Sequence, residues 1–135
     1  MAPEEILPVE AYTRATGGEW RLVDVRSPQE FAQGHPDGAI NIPIAFRGPM
    51  GMQPNPSFVQ AFRHVFPDRN QPLVLTCGNG PRSGRGCDLL AQAGYLRLAN
   101  MVGGMFGAPD VPGWEAKGLP VSVDTQGVSR EDVKP

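Results

Sequence analysis

The chain has 135 residues, 40% of them hydrophobic, and a formal net charge of -2. That length suits one domain able to bury a substantial core, and the near-neutral charge argues against a disordered chain or a basic nucleic-acid binder. No apolar run reaches the roughly 18 to 20 residues of a membrane span, so neither nucleic acid nor membrane is expected as a partner.

Met1-Ala2-Pro3-Glu4-Glu5 is acidic and lacks the basic start and apolar stretch of a signal peptide, which leads us to expect a cytoplasmic protein. Pro8 opens a predicted helix over 9–16 that Gly17-Gly18 closes. A short strand follows over 21–25. Ser27-Pro28-Gln29-Glu30 then places serine at an N-cap, proline at the first helical position and glutamate three residues on, which is a capping box. This brief helix ends near Gly34, and Gly38 turns the chain into 39–42. The segment 44–56 carries Gly48, Pro49, Gly51, Pro54 and Pro56 and reads as a long irregular connection. After Asn55-Pro56, residues Phe58, Val59, Phe62, Val65 and Phe66 form an apolar stripe at helical spacing, which is core.

An apolar strand over 73–76 leads to Cys77, and a helix over 83–93 follows, with Gly94 as its C-terminal stop. Another apolar strand spans 96–102 before Gly103-Gly104. The domain is expected to occupy 1–121, with a flexible polar tail over 122–135. Strands that alternate with helices imply an α/β fold whose parallel strands are covered on both faces. The active loop of such a sheet lies beyond the carboxyl ends of its strands, where Cys77 falls.

Chemistry concentrates at 77–83. A glycine-rich turn directly after a strand lets backbone N–H groups point at the Cys77 thiol and favour the nucleophilic thiolate. Gly78, Asn79 and Gly80 suit an anion cradle, since glycine permits positive φ and asparagine tolerates it. Pro81 lacks an N–H and removes one donor from that cradle. With two cysteines ten positions apart and two histidines, neither a disulfide framework nor a four-ligand metal site is expected.

Taken in order, Asp24-Val25-Arg26, Glu30-Phe31, Gly34-His35, 38–43, 77–83, Gly94-Tyr95, Gly103-Gly104 and Trp114 resemble the rhodanese family of sulfurtransferases. The resemblance implies a rhodanese-like three-layer domain: a five-stranded, mostly parallel sheet flanked by helices on both faces. It implies that Cys77 takes sulfur from a small-molecule donor such as thiosulfate, holds it as a persulfide, and passes it to a thiol or cyanide acceptor, a thioredoxin-like protein among them. No cofactor is implied, because the sulfur is held covalently.

Cys77 and Arg82 are the expected catalytic residues, and Gly78, Asn79, Gly80, Pro81, Arg82 and Ser83 the expected substrate-binding set. Arg82 can neutralise an anionic donor and its leaving group; the competing reading is a salt bridge across the loop rim. Ser83 more naturally caps the helix or bonds the loop than reacts. Cys87 is read as a small core residue rather than a resolving thiol. Asp24, Arg26 and Glu30 read as scaffold, with Arg26 pairing Glu30, and His35 as a hydrogen-bonded structural residue. His64 is expected to face solvent. Phe46, Met50 and Met52 either rim the site or fill gaps.

Two other functions compete. A Cys-dependent phosphatase or arsenate reductase uses five residues between cysteine and arginine, whereas four separate Cys77 from Arg82 here. A non-catalytic rhodanese module that docks a partner protein would usually lack the cysteine. Dinucleotide binding is rejected, since Gly84 lies one residue too far for the third glycine of that fingerprint.

Overall fold

The structure, a computed structural model, describes residues 3–125. Its first half comprises β1 (Glu4–Ile6), α1 (Pro8–Thr16), β2 (Arg21–Asp24), α2 (Pro28–Gln33), β3 (His35–Pro36), β4 (Ile40–Asn41), β5 (Ala45–Gly48) and β6 (Gly51–Pro54). The second half comprises α3 (Phe58–Val65), β7 (Leu73–Thr76), α4 (Pro81–Gln92), β8 (Leu98–Met101) and β9 (Val121–Ser122).

Five strands form one sheet in the order β1-β8-β7-β2-β4, and every pairing is parallel. The expected α/β fold with a five-stranded sheet is therefore present. Side chains alternate across a strand, so each strand feeds two cores. Val23, Leu73, Leu75 and Leu98 point to the face covered by Phe58 and Phe62 of α3 and Leu90 of α4. Leu22, Val74, Ala99 and Met101 point to the other, against Ala11 of α1, Phe31 of α2 and Trp114. Side chains such as Phe62 and Leu75, with no exposed surface, each stabilise the fold by about 2 kcal/mol. The same parity places Cys77, two residues beyond Leu75, on the α3 and α4 side.

Local signals hold where they are self-contained. Ser27 Oγ accepts from the Glu30 amide at 3.3 Å while Glu30 Oε1 accepts from the Ser27 amide at 3.2 Å, completing the capping box. At the end of α4 the Gly94 amide donates to Ala91 O and the Tyr95 amide to Leu90 O, the paired bonds of a Schellman stop with Gly94 at φ +98°. Gly86 is small because α4 sits tight on the sheet; a Cβ there would stand 2.9 Å from Leu75 Cδ2 and 3.1 Å from the Phe58 ring.

Two expectations change, and one further strand joins the sheet. Residues 44–56 are not irregular: β5 and β6 pair antiparallel as a hairpin whose turn places Gly51 at φ +97°. Glu4–Ile6 is a strand, at the sheet edge beside β8, where its carboxylates reach solvent and an apolar pattern is not required. The helix after Cys77 starts at Pro81, two residues earlier than 83. Ser122 pairs with His35 in the small β3–β9 sheet. The rest of the expected tail, over 126–135, lies outside the described residues.

Candidate active site

Strand order decides where the chain opens. After β2 the chain crosses to β4 on one side, and after β7 it crosses to β8 on the other. The connections leaving the two adjacent strands therefore diverge, and a crevice forms at their carboxyl ends. Cys77 stands at that point, immediately after central strand β7.

Cys77 is buried, with 1% of its surface exposed. The Gly80 amide donates to its Sγ at 3.1 Å. Gly80 is the N-cap of α4 at φ +121°, a conformation that favours glycine. The Ser83 hydroxyl lies 3.4 Å from Sγ, 3.0 Å from Gly80 O and 2.5 Å from Asn100 Oδ1. Its single proton can turn to the sulfur or to Asn100 on β8.

The wider cradle expected from 78–80 is narrower than the sequence suggests. Only Gly80 of these three has positive φ. Asn79 turns its side chain away and donates to Gly107 O at 2.6 Å. Gly78 contributes its carbonyl, which accepts from the Phe106 amide at 2.9 Å, while Cys77 O accepts from the Met105 amide at 2.8 Å. This strapping explains Gly104: at φ +56° it lies against the Cys77 carbonyl and Gly78, where a Cβ would collide with backbone. Pro81 occupies the first helical position, where an N–H has no intrahelical acceptor in any case. No ladder bond is lost there.

Arg82, in the first turn of α4, reaches across the crevice to Glu30, in the first turn of α2. Nη1 and Nη2 donate to the two carboxylate oxygens at 2.8 and 3.0 Å. Burial pushes the Glu30 carboxyl up, but hydrogen bonds from Arg82 and from Ser27 outweigh it and hold it at about 2. Arg82 is raised in turn, chiefly by the Glu30 hydrogen bond against its own burial, with smaller contributions from Cys77 and Asp24. The rim salt bridge weighed from the sequence is thus what Arg82 makes.

Arg26 does not pair with Glu30 as expected. Its Nε and Nη2 donate to Asp24 at 3.0 and 2.7 Å, and Nη2 also donates to Gly34 O at 2.6 Å. Asn41 closes this cluster, its Nδ2 donating to Asp24 O and Arg26 O. The Arg26 guanidinium lies 5.6 Å from the Phe106 ring, and Phe106, 57% exposed, stands on the surface beside Gly78 and Arg82.

The remaining residues take bland places. Cys87 is buried in the core, where burial, helped by nearby Asp88 and Cys77, pushes its thiol up to about 12. His35 stacks on Phe31 at 3.5 Å, its Nδ1 2.8 Å from Phe31 O, and His64 is exposed on α3. Phe46 packs on the core from β5, while Met50 and Met52 are exposed on the hairpin. Asn100, Phe106 and the second role of Glu30 were not legible beforehand; Gly103-Gly104 was the signal that something packs closely there. Among the described residues no cluster of His, Cys, Asp and Glu could hold a metal ion, and no helix is long and apolar enough to cross a membrane.

Comparison with known proteins agrees with this geometry. Residues 7–108 match the rhodanese-like domain. The chain is 37% identical over 100 residues to the chloroplastic thiosulfate sulfurtransferase 16 of Arabidopsis thaliana, covering 74% of this chain and 78% of that protein. It is 30% identical over 81 residues to thiosulfate sulfurtransferase PspE of Escherichia coli, covering 60% of this chain and 67% of that one. Several other curated relatives are longer, and the chain spans about three fifths of their length. Among solved structures, Rv0390 of M. tuberculosis shares the fold at a TM-score of 0.73 and 23% identity, covering 92% of this chain and all of that one. The chain belongs to the rhodanese-like family of sulfurtransferases.

Proposed function

We propose that this protein carries sulfane sulfur on Cys77, taking it from a donor such as thiosulfate and passing it to a thiol or cyanide, with a thioredoxin-like protein among the acceptors. The observation that carries this reading is the 3.1 Å bond from the Gly80 amide to Cys77 Sγ at the start of α4. A backbone donor and the positive end of a helix both favour negative charge on that sulfur. Support comes from similar proteins named thiosulfate sulfurtransferase, and the rhodanese-like domain match over 7–108 spans this loop.

The cycle is a double displacement. The Cys77 thiolate attacks the outer sulfur of thiosulfate, the S–S bond of the donor breaks, and sulfite leaves with the bonding pair. A persulfide anion remains on Cys77, held by the same Gly80 N–H and by Ser83. An acceptor thiolate or cyanide then attacks the terminal sulfur, and the Cys77 thiolate is restored. Charge is conserved in both halves, and no cofactor takes part.

The test is intact-mass measurement after exposure to thiosulfate or to methanethiosulfonate. One added sulfur atom is expected on the native chain, lost when cyanide or a small thiol is supplied, with thiocyanate appearing in the cyanide reaction. Cys77→Ser should neither gain the sulfur nor yield thiocyanate. If Cys77→Ser gains sulfur and turns over as the native protein does, Cys77 is not the carrier.

A further inference from the structure

The arginine of the loop is already engaged by an acidic partner, and this bears on which donor the site accepts. Glu30 uses both carboxylate oxygens on both terminal nitrogens of Arg82, filling the planar fork that a sulfonate or sulfate group would otherwise take. Arg26, a second guanidinium beyond the carboxyl end of β2, is committed to Asp24 and Gly34 O. Each of these two arginines is thus matched by a carboxylate, Arg26 by Asp24 and Arg82 by Glu30.

An incoming anion therefore meets two arginines that are matched before it arrives. Thiosulfate brings two negative charges to an attacking thiolate that is itself negative. Glu30 is 19% exposed at the side chain and is bonded by its own capping box as well as by Arg82. Resting on the sulfurtransferase reading above, we infer that Glu30 is a specificity-determining residue: by occupying Arg82, it disfavours dianionic donors and tunes the site toward sulfur donors of lower charge, persulfides and thiosulfonates. A thiosulfonate anion reacts by the same displacement as thiosulfate. The thiolate attacks the outer sulfur, the S–S bond breaks, a sulfinate leaves with the bonding pair, and one negative charge fewer passes through the site.

Two donors that differ by one charge test this. Thiosulfate and methanethiosulfonate share the attacked sulfur and differ by the exchange of an oxyanion for a methyl group. Donor kcat/KM is measured with cyanide as the common acceptor for the native protein, Glu30→Gln and Ser27→Ala. Glutamine retains the carbonyl oxygen of the capping box, removes the charge and leaves Arg82 free to meet the donor. Ser27→Ala removes the cap hydroxyl that bonds Glu30 Oε1 and loosens the same helix but keeps both charges of the pair. It therefore reports the effect of the helix without the loss of charge.

Glu30→Gln should raise kcat/KM about tenfold for thiosulfate and about threefold for methanethiosulfonate, because a charge removed at the site acts twice on a dianion. Ser27→Ala should leave the ratio between the donors unchanged. Equal changes for both donors in Glu30→Gln, a fall for thiosulfate, or the same ratio shift in Ser27→Ala would each overturn the inference. If neither donor loads sulfur on Cys77 in any of the three proteins, the sulfurtransferase reading itself fails.

Discussion

Two arginine–carboxylate pairs flank the crevice, and they do different work. Asp24 and Arg26 lie two residues apart, are buried to 0% and 2% side-chain exposure, and hold each other together with Gly34 and Asn41. Glu30 and Arg82 stand 52 positions apart, are 19% and 34% exposed, and join two helices that diverge from neighbouring strands. The first pair satisfies charges enclosed at the end of a strand. The second sits at an opening and holds a cation at the start of α4, where the helix dipole disfavours one. Arg82 keeps a third of its side-chain surface exposed there, whereas Arg26 keeps almost none.

The largest effect should come from breaking the enclosed pair. Arg26→Met leaves Asp24 buried without its counter-charge and should cost about 3 to 5 kcal/mol in urea unfolding. A loss under 1 kcal/mol would show that Asp24 finds other partners.

Glu30→Gln should cost less, about 1 to 2 kcal/mol at neutral pH after allowance for solvent screening at Arg82. Its pH dependence has a definite sign. The Glu30 carboxyl is held at about 2 in the folded chain against 4.5 unperturbed, so its stabilisation is complete above 4.5 and is lost as pH falls toward about 2. The stability gap between the native chain and Glu30→Gln should therefore be constant from neutral pH down to 4.5 and narrow below it. A gap that widens in acid would contradict the assignment.

A third pair sets the lower end of the scale. Arg14 bonds Glu4 at 2.9 Å and also Glu10, but the two carboxylates are 54% and 51% exposed. Arg14→Gln should cost about 0.2 to 1 kcal/mol, and less as salt rises. The three substitutions together ask whether burial alone orders the pairs, or whether Glu30 departs from that order because a donor competes for Arg82.

Some of this was written locally. Ser27 and Glu30 form their capping box within four residues, and Gly94 ends α4 by the bonds that a glycine at that position permits. Cys77 falls at the end of an apolar strand, and the strand–helix alternation produced the parallel sheet. The hairpin of 45–54 was hidden by prolines and glycines that also mark irregular loops, and β1 by two glutamates suited to a solvent-facing edge. The family pattern suggests that Arg26 pairs with Glu30 and ties strand to helix; the bend after β2 instead folds Arg26 back on Asp24.

The chain by itself determined the fold class and the position of Cys77, through periodicity, caps and a short contiguous loop, and its ordered motifs carried the resemblance to the family. Tertiary structure alone decided which carboxylate each arginine takes, that Gly104 straps the loop from behind, and that Asn100 stands beneath Ser83. Except for Arg26 and Asp24, which a local bend brings together, the contacts at this site join residues 17 to 52 positions apart. Strand order brings them together, and a one-dimensional pattern has no term for that.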